Sequence, residues 1–272
     1  MKNHKKVCLP ADKNRNNENE RGRERIMKNT LGIVLGCMLA LLMVSAPVMA
    51  ADGGVGFSRN RLVYMSTDRA LSLTVSNHGS TPYLVQAGVS ADNQKAVKAP
   101  FIVTPPLFRL EGKSQNVMRI VGSGAELPKD RESVFYFYAT TIPGQAKTQN
   151  GEVEPAKGVG ASVSISMKTV LKLFWRPANL PVTAEAALKQ VQFVSRGKSV
   201  VIKNPTPYYQ SFAVLEFDGK RQNTNTRPSM VAPFGELSLP ADGLVKSVTW
   251  SVMNDYGGTT DKVTQPTVSA DG

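Results

Sequence analysis

The sequence predicts an all-β protein built as two sandwiches in tandem. Three observations predict it: short apolar runs separated by turn residues from Ala51 onward, no long run of 3.6-residue periodicity, and a break in the strand pattern across Arg176-Pro177-Ala178-Asn179-Leu180-Pro181. Spacing of this kind over about 120 residues is that of an immunoglobulin-like sandwich.

The first fifty residues stand apart. Residues 1–26 are polar, with eight Lys and Arg against four Asp and Glu. Met27-Lys28 then opens a basic segment, an apolar run of 14 residues from Leu31 to Val44, and the small-residue ending Ser45-Ala46-Pro47-Val48-Met49-Ala50. That order is a secretory signal peptide, and the run is shorter than the roughly 20 residues that span a bilayer. The expectations are synthesis from Met27, cleavage after Ala50, export, and no membrane span. Both cysteines, Cys8 and Cys37, fall in the removed part, so the mature chain has no disulfide and rests on its cores. It keeps 24 Lys and Arg against 17 Asp and Glu, a net charge of +7. Such a surface favours carboxylate-bearing partners, and export argues against nucleic acid.

The first predicted sandwich, residues 51–177, carries candidate strands at Phe57–Tyr64, Leu71–Ser76, Tyr83–Val89, Phe101–Val103, Asn116–Val121 and Val134–Thr140, and a last strand that ends at Trp175. Turn groups such as Asn77-His78-Gly79-Ser80 and Gly122-Ser123-Gly124 separate them. The second, residues 178–272, has strands at Gln190–Val194, Ser199–Lys203, Tyr209–Phe217, Gly235–Leu239 and Lys246–Val252, with a frayed tail from Thr259 to Gly272.

The last strand of the first sandwich is the most informative stretch. Val159, Ala161, Val163, Ile165 and Met167 alternate with Gly160, Ser162, Ser164 and Ser166, which is the period-2 pattern of a strand. Its polar face is small and uncharged, so nothing on it deters a new neighbour. At a sheet edge it is a template for another chain; elsewhere it is an ordinary half-buried strand with a solvated Ser face. The polar segment from Pro143 to Gly158 precedes it, longer than most connections inside a sandwich.

Enzyme chemistry finds little support. The mature chain has one histidine, His78, in a turn, and no cysteine, which leaves no nucleophile–base pair and no metal-ligand spacing. Gly112-Lys113-Ser114 and Gly197-Lys198-Ser199 look like the end of a phosphate-binding loop, but the required earlier glycine is Leu107 in one and Gln192 in the other. No catalytic residue, metal or cofactor is expected.

Five motifs occur in order: Val103-Thr104-Pro105-Pro106-Leu107-Phe108-Arg109-Leu110, Asp130-Arg131-Glu132-Ser133-Val134-Phe135-Tyr136-Phe137, Lys172-Leu173-Phe174-Trp175-Arg176-Pro177, Asn204-Pro205-Thr206-Pro207-Tyr208-Tyr209 and Asn254-Asp255-Tyr256-Gly257-Gly258. Together they resemble the periplasmic pilus-assembly chaperones of Gram-negative bacteria, over nearly all of residues 55–258. The resemblance implies two immunoglobulin-like domains at an angle with a cleft between them. It implies a chaperone that lends the strand at about 159–171 to an incomplete pilus subunit and delivers it to an outer-membrane usher. Val163, Ile165 and Met167 match the donated positions, with Ala161 and Val159 as extensions. Arg61 and Lys172 match the cations that anchor the subunit's C-terminal carboxylate, and Glu132, Arg176 and Asp255 match an ion cluster between the domains. A self-capping dimer of the empty protein is a further expectation, because the strand is apolar and exposed. Members with a long segment before the donated strand often carry a cysteine pair there, and this mature chain has none. The competing reading is a secreted sandwich adhesin or fibre subunit, which the lack of disulfides and the complete motif set disfavour.

Overall fold

The computed structural model describes residues 54–94, 97–144 and 165–269. The first sandwich comprises β1 (Val55–Phe57), β2 (Arg61–Met65), β3 (Leu71–Asn77), β4 (Tyr83–Ser90), β5 (Phe101–Thr104), β6 (Leu107–Leu110), β7 (Gln115–Gly122), β8 (Ser133–Pro143) and β9 (Met167–Arg176). One sheet has the order β1-β3-β7-β5 and the other β2-β9-β8-β4-β6. Alternate residues of each strand turn inward, as Leu71, Leu73 and Val75 do in β3 and Phe135, Phe137 and Ala139 in β8, and they meet in one core.

Two expectations for this half are corrected. The strand expected over Phe57–Tyr64 is two strands in different sheets: β1 pairs antiparallel with β3, and β2 pairs parallel with β9. The switch falls at Ser58, whose amide donates to Thr74 O and whose hydroxyl accepts from Thr74 N. Alternation reports which face is buried and says nothing of which sheet the backbone joins. A strand absent from the expectations, β6, follows the cis Thr104–Pro105 peptide and pairs with β4.

The second sandwich opens with a short helix, α1 (Ala184–Leu188), capped by the Thr183 hydroxyl, which accepts from Ala186 N. The sequence reading placed no helix there, since five residues are too few to show a helical period. Then come β10 (Gln192–Arg196), β11 (Ser199–Lys203), β12 (Gln210–Phe217), β13 (Lys220–Arg221), β14 (Met230–Val231), β15 (Glu236–Pro240), β16 (Ser247–Val252), β17 (Val263–Pro266) and β18 (Val268–Ser269). Its sheets run β15-β11-β10-β18 and β13-β12-β16-β17, with β14 beside β12. Phe193, Phe212 and Trp250 pack edge and face at the centre of its core.

The expected frayed tail is instead ordered through Ser269: β17 pairs with β16 and β18 with β10, and Gln265 Nε2 donates to Val191 O. These residues contribute edges rather than core, so they lack the apolar run that marks a strand. Gly112-Lys113-Ser114 lies in the turn between β6 and β7, and Gly197-Lys198 is the hairpin between β10 and β11 with Gly197 at φ +51°. His78 is an exposed turn residue. Among the described residues no helix is long and apolar enough to cross a membrane, and no group of acidic, His or Cys side chains is arranged around a metal position.

Candidate functional site

The site is built on β9 and its two neighbours. β8 pairs antiparallel with all of β9 but its last residue, from Ser133↔Trp175 to Thr141↔Met167. β2 pairs with it only from Arg61↔Lys172 to Met65↔Arg176. Because the chain before Arg61 lies in the other sheet, β9 from Met167 to Leu171 has a partner on one side only among the described residues, and among them its other backbone edge is open.

Side chains follow the same division. Leu171 and Leu173 point into the first core. The same alternation places Met167 on their row beyond the core's end, where it is 65% exposed, and Ile165 two residues further on is 71% exposed. Large apolar side chains this bare beside an open strand edge are a surface waiting for cover. Of the five positions singled out in the sequence, Ile165 and Met167 are placed, and Val159, Ala161 and Val163 lie outside the described residues.

Where the open edge ends, two cations meet. The parallel register sets Arg61 directly opposite Lys172. Like charges in that position repel, and both are poorly hydrated. Burial pushes the Lys172 ammonium below its ordinary value and the charge of Arg61 adds to the shift. Burial also pushes Arg61 down, with Glu132 and Asp255 only partly offsetting it. Arg61 is 5% exposed; its guanidinium carbon lies over the Phe174 ring at 3.9 Å from the centroid, and Nη1 donates to Ser211 Oγ at 3.2 Å. Its buried Nε has no hydrogen-bond partner among the described residues.

Behind the cations the structure brings Glu132, Arg176 and Asp255 together. Arg176 Nε donates to Glu132 Oε1 at 2.8 Å, and Nη1 and Nη2 fork onto the two oxygens of Asp255 at 2.6 and 2.7 Å. Glu132 Oε2 also accepts from Tyr209 N at 2.8 Å. Burial holds the Glu132 carboxyl above its ordinary value against the pull of Arg176. For Asp255 the hydrogen bonds and charge of Arg176 outweigh burial and lower it. A cavity of roughly 240 Å³ lies beside the cluster, lined by Arg61, Tyr208, Tyr209, Gln210 and Tyr256 among others. Glu132 and Arg176 come from the first sandwich and Asp255 and Tyr209 from the second, so the cluster crosses between them.

Residues 54–181 match the family described as "Pili and flagellar-assembly chaperone, PapD N-terminal domain", and residues 186–264 match "Pili assembly chaperone PapD, C-terminal domain". The chain belongs to the PapD family of pilus-assembly chaperones. Among its relatives, the probable fimbrial chaperone protein ElfD of Escherichia coli O157:H7 is 36% identical over 239 residues, covering 86% of this chain and 96% of that protein. The chaperone protein FimC of Escherichia coli O6:H1 is 34% identical over 84% of this chain and 92% of its own length. A chain of the solved complex of the Salmonella enterica SafA pilin with the SafB chaperone superposes with a TM-score of 0.69 at 30% identity, covering 80% of this chain and 98% of that chain. The Escherichia coli chaperone DraB does so with 0.67 at 32%, covering 79% and 96%. Two immunoglobulin-like domains are therefore the architecture of this chaperone, and the adhesin reading is not favoured.

Several residues that join the chaperone's two sandwiches were not singled out in the sequence. Asn60, at the strand switch, donates from Nδ2 to Gly257 O at 3.0 Å. Phe174 packs on Tyr209 with ring centroids 5.6 Å apart, and Arg131 lies 4.8 Å from the centroid of Phe234. Ser211 reaches Arg61. Only Gly257, in the run Tyr256-Gly257-Gly258, carried a local signal: it sits at φ +82° and a Cβ there would lie 1.5 Å from Asn60 Oδ1. Arg131, Phe174 and Tyr209 stand inside the ordered motifs, which do not reveal their contacts, and Ser211 carries no signal, because a serine on a strand looks the same whether it faces water or an arginine from 150 residues away.

Proposed function

We propose that this chaperone captures an incomplete pilus subunit along the open edge of β9 and anchors the subunit's C-terminal carboxylate between Arg61 and Lys172. The observation that carries the reading is the coincidence of the two features: the unpaired edge from Met167 to Leu171 stops at the residue that faces Arg61. A strand added there continues the line of β2, and its terminal carboxylate meets both cations. The row Val159, Ala161, Val163, Ile165 and Met167 then fills the subunit's groove. Three to five such side chains supply roughly 5 to 15 kcal/mol before association costs. The anchor contributes less and sets register, since a slip of one residue turns the wrong face inward.

Glu132, Arg176 and Asp255 hold the two sandwiches, residues 51–177 and 178–272, in the relation that keeps the anchor in the cleft. The protein acts by binding, without catalysis or a cofactor. Residues 27–50 direct export to the periplasm, where the partners are pilus subunits and the outer-membrane usher, and the empty edge is capped by a second copy.

Co-expression with candidate subunits in the periplasm, followed by pull-down and mass spectrometry, tests the reading on the wild type and Lys172→Ala. A one-to-one subunit complex that the substitution abolishes is the expected result. Equal capture by both proteins overturns the anchor, and no capture by either overturns the open-edge reading.

A further inference from the structure

The least expected feature of the anchor is how Arg61 is held. A surface arginine swings freely on its long side chain, and it loses that freedom when it binds. Arg61 is fixed beforehand: the guanidinium face rests on Phe174 at 3.9 Å from the ring centroid, and Nη1 is tied to Ser211 Oγ at 3.2 Å. Phe174 is fully buried and packs on Tyr209, and Ser211 is buried on β12 with its backbone oxygen accepting from Met253 N. None of these groups neutralises the cation. Glu132 is engaged by Arg176 and the Tyr209 amide, and Asp255 is held in the fork of Arg176.

We propose that Phe174 and Ser211 are positioning residues that set the plane of the Arg61 guanidinium, so that the second sandwich decides how well the first one reads a terminal carboxylate. The inference rests on the anchor described above and adds what makes it selective. A planar cation offers two parallel N–H groups to a carboxylate only while its plane is fixed. The aromatic face fixes the plane, and Ser211, bonded to Nη1, fixes the rotation of the group within that plane. Ser211 belongs to the second sandwich and sits 150 positions from Arg61. The anchor is thus complete only while the two sandwiches are docked.

The test uses the full mature chain and two probes: a fluorescein-labelled nine-residue peptide of alternating valine and serine ending in a free carboxylate, and the same peptide ending in an amide. The quantity read is the ratio of the two dissociation constants. Phe174→Leu and Ser211→Ala are each expected to lower that ratio about three- to tenfold. Phe174→Tyr, which keeps the ring, retains it. Arg61→Lys, which keeps the charge and loses the plane, lowers it as Phe174→Leu does. A merely structural role would weaken both peptides alike and leave the ratio unchanged, and that result overturns the proposal. If Phe174→Leu does not fold, Ser211→Ala and Arg61→Lys decide by the same ratio. A wild-type ratio near one overturns the anchor itself. A high wild-type ratio that survives every substitution overturns only the positioning.

Discussion

The two halves of β9 share one strand and one alternation of side chains, yet they meet opposite fates. From Lys172 to Trp175 the strand has a neighbour on each side, Phe174 is buried against the second sandwich, and Arg176 just beyond is locked in ion pairs. From Met167 to Leu171 it has a neighbour on one side only among the described residues, and Val170 and Met167 stay exposed. The difference comes from β2, which begins at Arg61 because the preceding residues have left for the other sheet. One apolar row is therefore core at Leu173 and open surface at Met167. A strand's own pattern fixes which side chains share a face, and the reach of its neighbour decides whether that face is satisfied.

The contrast can be broken from either half, and the effects on stability should fall off from the paired half to the open one. Arg176→Ala strands two carboxylates, one of them on the 2%-exposed Glu132, and should cost about 3–5 kcal/mol in guanidinium denaturation. A loss below about 1 kcal/mol would mean that the cluster does not join the two sandwiches. Gly257→Ala adds a methyl at φ +82° directly against Asn60 and should cost about 1–3 kcal/mol. Combining it with Asn60→Gly should recover the part due to the clash and leave the part due to the backbone, a split readable in a double-mutant cycle.

Lys172 marks the border between the halves and should behave differently again. Its ammonium is held below the ordinary lysine value by burial and by Arg61. Between that lowered value and about 10.5 the unfolded chain binds more protons than the folded one. Stability of the empty wild type should accordingly rise with pH through that window. Lys172→Met should flatten this rise and stabilise the empty protein at neutral pH by less than about 1 kcal/mol, given the solvent still reaching the side chain, while it abolishes capture. Ile165→Asp, on the open side, should shift stability by under about 0.5 kcal/mol and weaken subunit capture at least about tenfold. A large loss of stability from Ile165→Asp would place that residue in the core of the empty protein and erase the contrast.

Much of the fold was legible along the chain. Alternation located β3, β4 and β7 to within a residue at each end, because each buries one face over enough residues for the period to show. It failed where burial is shared or slight. β1 and β2 read as one strand, β6 is four residues with only Leu110 buried, and β17 and β18 are edges. In the site, motif order drew attention to Arg61, Lys172, Glu132, Arg176 and Asp255, while nothing in the run Asp130-Arg131-Glu132 tells its three charges apart. The structure separates them: Asp130 and Arg131 form an exposed pair, while Glu132 is buried between Arg176 and the Tyr209 amide.

By itself the sequence determined the all-β class, two sandwiches, the apolar row that runs into β9, and the residue types able to hold a carboxylate. Those properties are local: they depend on composition and on a two-residue period. Tertiary structure alone decided that β2 begins opposite Lys172, that the edge before it is open among the described residues, and that Ser211 and Phe174 contact Arg61. Register between strands far apart in the chain, and contact between two sandwiches, are set by how whole surfaces fit, and no single stretch of sequence carries that information.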